Sequence, residues 1–283
     1  MAADTITAPR SGDHGAATAG PLAVLRGVLR DRRRTLLLWS LAIAAVTAVY
    51  VSFYPAMGDG ADLSAFVENM PEGLVSALGY DNIATPGGYL SSTVFGILGP
   101  ALLLVFGIGW GGRTLAGAEE DGTLELELTH PVSRTQVYAE RLLGLWLGLL
   151  LLVTIVFVVA FGLVTALDME LATSNLLAGT VGLFLLGLAL STVALAVGAA
   201  TGRRGVAVGA AAGLAVVAFV ADAIGPLVDG LGWLTDVSPW SWYLAGEPLL
   251  EGFDVTGLAL LAALTAVATV AGLVRYRQRD LGV

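Results

Sequence analysis

Six long apolar runs succeed one another along the chain, near residues 35–54, 91–112, 142–167, 175–200, 206–228 and 256–275. Each is about 20–26 residues, enough for a helix to cross a hydrocarbon core of roughly 30 Å. None alternates apolar and polar positions as a barrel strand would. The pattern therefore predicts an all-α polytopic membrane protein with six transmembrane helices. The third and fourth runs are long, which implies tilt or ends that project beyond the bilayer. Pro100 predicts a kink in the second span.

The segments between and before the runs carry their own patterns. Residues 1–20 are rich in Ala, Thr, Gly and Ser and read as a disordered tail, which leaves 21–283 as the transmembrane domain. Residues 21–34 (PLAVLRGVLRDRRR) predict an amphipathic helix on the membrane surface. Its apolar face would carry Leu22, Leu25, Val28 and Leu29, and its basic face Arg26, Arg30 and Arg33. The plainer alternative is a basic stop that only sets topology. The loop at 55–90 holds a short helical pattern and ends in TPGGYLSS, whose Pro and Gly predict a turn before the second span. Trp233, Trp240, Trp242 and Tyr243 sit in the loop at 229–255. They fit an interfacial aromatic belt, and Trp240, Trp242 and Tyr243 are also candidates for an outer gate.

The connection at 113–141, RTLAGAEEDGTLELELTHPVSRTQVYAER, is the most structured in pattern. Arg113 to Asp121 extends the second span until Gly122 stops it. Ser133 and Gln136 form a capping box, S-x-x-Q, that opens the third helix just after Pro131. Between them, TLELELTH alternates like a strand. It consists of good helix formers with no strand partner, so the expectation is a short surface helix.

Charge then orients the chain. Hydrophobic residues make up 56% and charged residues 13%, where a soluble domain carries about 25% charged. All 14 basic residues are Arg, and they all fall before the first span, in the second and fourth connections, or after the last span. The other three connections carry acids alone. The positive-inside rule thus puts both termini in the cytoplasm. The chain has no Lys, so it cannot form a P-loop. It has no Cys and only His14 and His130, which leaves no metal cluster within the spans. The net charge of −9 speaks against nucleic acid.

On AGAEEDGTLELELTHPVSRTQVYAER, the sequence resembles the ABC-2-type transporter permeases. The family version runs from acidic residues through GTLE-L-L and PVSR to a basic residue opening the third helix, here Arg141. The order of segments, the VSPWSWYLAGEPL loop and the closing RYRQRDLGV agree with it. The resemblance implies a permease half-unit of an exporter in a prokaryotic plasma membrane. It implies a second permease copy, identical or closely related, and two ATP-binding subunits that hold ATP and Mg; this chain itself needs no cofactor. The matching coupling positions are Glu119, Glu120, Gly122, Thr123, Leu124, Glu125, Pro131, Ser133 and Arg134. The acids would meet partner Arg side chains or pair with Arg113 or Arg134.

The rival class is an ion-coupled secondary transporter or a channel. Carriers place acids near the midplane. Only Asp222 lies well inside a run, near its outer end. Gly205, Gly209 and Gly213 in the fifth span, and Gly144 with Gly148 in the third, are spaced for close helix packing. Packing within the chain is the expected use, and a homodimer seam the alternative.

Overall fold

Hydrocarbon offers no hydrogen-bond partner to the backbone, so spanning segments satisfy their N–H and C=O groups internally as helices. The computed structural model describes residues 22–56, 64, 67–71, 75, 80, 82–122, 133–228 and 230–279. Among them it is helical, with no strand. Among the described residues, six helices are long and apolar enough to cross a membrane. These are α1 (Ala23–Ala56), α2 (Pro86–Glu120), α3 (Arg134–Ala166), α4 (Thr173–Thr201), α5 (Arg204–Ile224) and, after the short α6 (Trp233–Asp236) and α7 (Pro239–Leu244), α8 (Val255–Gln278).

Helix α4 is the axis of the bundle, packed on α2, α3, α5 and α8, while α1 lies along α3. Without a hydrophobic drive between helices in lipid, close approach depends on small residues. A Cβ on Gly187 would meet Leu103 at 2.6 Å, and one on Gly182 would meet Tyr243 at 2.8 Å. The outward faces stay apolar: Leu38, Leu41, Val105, Val217 and Val267 are all strongly exposed, as lipid-facing side chains are.

Two expectations change. The 21–34 segment is not a separate surface helix. From Ala23 onward it is continuous with the first span, and Leu25 and Val28 pack against Gly144 of α3. Part of its apolar face thus has a protein partner, while Leu22 stays exposed and Arg26, Arg30 and Arg33 point outward. TPGG is not a turn but the first turn of α2. Pro86 takes the position where its missing N–H costs nothing, and Thr85 accepts from the Gly88 N–H at 3.1 Å. Pro100, where a kink is expected, is preceded by a π-helical stretch, Ser91–Leu98. A second π-helical stretch, Arg113–Gly117, follows near the other end of α2.

The two glycine motifs part company. Gly144 is covered by Leu25 and Val28, and Gly148 by the Trp110 ring, so α3 uses its pair within the chain. Around Gly205, Gly209 and Gly213 a Cβ would meet nothing within 4 Å, so α5 does not. Gly148→Ala should therefore destabilise the monomer by about 1–3 kcal/mol, because the indole cannot move aside in a packed core. Gly209→Ala, which meets no other part of the chain, should shift the melting temperature less than Gly148→Ala; equal shifts for the two would contradict this packing.

Candidate functional site

The residues flanking the second connection converge at the arginine-bearing end of the bundle. Helix α2 ends where Gly122 takes a left-handed φ of +68°, with the Asp121 N–H bonded to the Gly117 carbonyl at 2.9 Å. Just before that stop, Glu119 forms an ion pair with Arg279, which follows α8. The pair lies against Gly202, the left-handed C-cap of α4, where a Cβ would come within 2.5 Å of the Arg279 guanidinium and 2.7 Å of the Glu119 carboxylate. Only glycine suits that position on both counts. Glu120 accepts from the Arg204 backbone N–H at 2.9 Å and so caps α5 from a neighbouring helix. A carboxylate at a helix N-terminus is favoured by the helix dipole.

The first two turns of α3 reach the remaining helices. Ser133 accepts from the Gln136 N–H at 3.1 Å, as the capping box predicts. The Gln136 side chain turns instead to Glu140, at 2.7 Å. Arg134 donates to the Arg279 carbonyl at 2.9 Å, and Tyr138 to the Thr269 carbonyl of α8 at 3.0 Å. Glu140 is buried and accepts from the Leu25 N–H at 2.9 Å, capping α1. The next residue, Arg141, is also buried and donates to the Thr114 carbonyl in the second π-helical stretch of α2. One turn of α3 thus holds α1 and α2 through two adjacent, oppositely charged side chains.

Of the nine positions expected to couple to an ATP-binding subunit, Glu119, Glu120, Gly122, Ser133 and Arg134 belong to this cluster, while Thr123, Leu124, Glu125 and Pro131 lie outside the described residues, as does the TLELELTH segment. The pairing of acids with Arg113 or Arg134 is not found among the described residues; Arg279 and the start of α5 take them. Arg279 lies in the closing RYRQRDLGV segment, while Gly202, Arg204, Glu140 and Thr114 are participants that no local pattern marked.

At the opposite end, two of the three gate candidates, Trp240 and Tyr243, are buried. Trp240 is buried edge-on to Phe219, with centroids 5.1 Å apart. Tyr243 donates to the Phe95 carbonyl at 2.9 Å, and burial pushes its hydroxyl well above the ordinary tyrosine value, so it stays a donor. Half-buried Trp242 donates to the Asp236 carbonyl at 2.7 Å. Asp222 lines a cavity of about 260 Å³ here, within hydrogen-bonding reach of Ser241.

Glu119→Arg should lower the melting temperature, by the equivalent of about 1 kcal/mol for a partly exposed pair. The swap Glu119→Arg with Arg279→Glu should recover most of that loss. A double variant as unstable as the sum of the singles would show that the pair does not interact.

A family model described as ABC-2 family transporter protein matches residues 22–281. No match is found among curated proteins. The match spans nearly the whole chain, and the chain belongs to the ABC-2 transporter family as a membrane transport component.

Proposed function

We propose that this ABC-2 family chain is the permease half-unit of an ATP-driven exporter, with the 113–141 segment as its coupling element. It works as a pair of permeases beside two separate ATP-binding subunits. The observation that carries the proposal is the cluster at the base of that segment. Its two flanks grip α1, α5, α8 and the end of α4 through Glu119, Glu120, Arg134, Glu140 and Arg141.

A segment held this way is a lever. Closure of an ATP-binding pair against residues 113–141 would displace α2 and α3 together, and their neighbours with them, because packed helices shift between discrete arrangements rather than deform. The π-helical stretches of α2 give it places to change register. The absence of Lys leaves ATP hydrolysis to another polypeptide. The arginine-bearing end, cytoplasmic by the positive-inside rule, is where such a subunit would dock. The uncovered Gly205–Gly209–Gly213 stripe favours α5 as the seam with the second permease.

One co-expression experiment with the cognate ATP-binding subunit tests both contacts. Alanine at Thr123, Leu124 and Glu125 together should leave the permease in the membrane at normal level but abolish co-purification and transport-coupled ATPase activity. Gly209→Leu should shift the permease from dimer to monomer in detergent. Unchanged co-purification and ATPase rates would overturn the coupling assignment, and an intact Gly209→Leu dimer would overturn the seam.

A further inference from the structure

Four arginines from four helices line one cavity of about 490 Å³ at the arginine-bearing end: Arg32 of α1, Arg113 of α2, Arg141 of α3 and Arg204 of α5. Arg32 lies on a different side of α1 from the outward-pointing Arg26, Arg30 and Arg33, and within electrostatic reach of Arg113, Asp31 and Arg204. Its guanidinium carbon stands 5.7 Å above the centre of the Trp110 ring. That ring is fixed in turn by Phe106, edge-on at 5.3 Å, and by the close approach of Gly148.

The charge in this cavity is not balanced. Asp31, Glu120 and Asp121 share its wall, three acids against four arginines. Glu120 is already engaged with the Arg204 backbone. Among the described residues, the side chains of Arg32, Arg113 and Arg204 donate no hydrogen bond and form no ion pair. A guanidinium carries five N–H donors in a fork that matches phosphate oxygens, so three such groups facing one space form an anion site.

Its depth indicates where the anion comes from. Five and six residues beyond Arg32, Leu37 and Leu38 are 63% and 68% exposed, and two beyond Arg204 so is Val206, at 41%. The cavity thus lies where α1 and α5 pass from polar to lipid-facing surface, the level of phospholipid headgroups. We propose that it binds the phosphate of an anionic phospholipid headgroup, with the acyl chains running along the exposed apolar face of α1. The site does not depend on the ATPase partnership, since binding is read on the isolated permease.

Native mass spectrometry of the purified full-length chain, titrated with phosphatidylglycerol or phosphatidylcholine, tests this. Phosphatidylglycerol should be retained and should raise the melting temperature; phosphatidylcholine should do neither. Arg32→Gln with Arg113→Gln should weaken phosphatidylglycerol retention by roughly tenfold or more. Arg113→Gln alone should weaken it less, which secures the result if the double variant folds poorly. Arg26→Gln with Arg30→Gln, exposed on the same helix, should retain it fully. Equal retention of both lipids, or equal losses from the two double variants, would overturn the site. Inorganic phosphate that raises the melting temperature and displaces phosphatidylglycerol would overturn the lipid assignment in favour of a soluble phosphate.

Discussion

The Glu119–Arg279 ion pair, seated on Gly202, is the contact on which the base of the bundle depends. It joins the last turn of α2 to the end of α8 across the C-cap of α4. Arg134 then uses the Arg279 backbone to bring in α3. Each residue is modest alone, because a partly exposed pair is worth about 1 kcal/mol or less. What matters is its position. It closes a ring of helix ends around the connection that leaves the bundle at Gly122 and returns at Ser133.

Helix termini explain why the ring forms there. Each helix end leaves backbone groups without intrahelical partners, and those groups must be met near the membrane boundary. Here side chains of neighbouring helices meet two of them: Glu140 caps α1 and Glu120 caps α5, while Arg141 donates to a carbonyl within the second π-helical stretch of α2. Satisfying the ends of one helix therefore fixes the next. Deeper in the bundle small residues along α4 set the helix spacing, so the hydrocarbon region supplies packing and the polar end supplies connectivity.

Much of this was legible in the sequence, within limits that are physical. Six spans follow from hydropathy because lipid demands it. The Gly122 stop and the Ser133 cap follow because both are local, resolved within four residues. The partners of Glu119 and Glu140 are 160 and 115 residues away, and no spacing rule reaches that far. The arginines at 26–34 suggested a break before the first span, yet α1 runs through them because Gly144 and Glu140 of α3 support it. The glycine motifs of α3 and α5 share a spacing but not a fate, since spacing does not say which face of a helix turns inward. Trp240 and Tyr243 look like belt residues by composition, yet both are buried against other helices.

The central claim is that the base of the bundle transmits force as one body. The chain has no cysteine, so paired substitutions can be tethered cleanly. Glu119→Cys and Arg279→Cys, joined by a short bis-thiosulfonate and reconstituted with the ATP-binding subunit, provide the most direct measurement. The account predicts ATP-driven transport at the rate of the untethered double variant. Transport that stops on tethering and resumes on reduction would show that α2 and α8 must part during the cycle, and would contradict it.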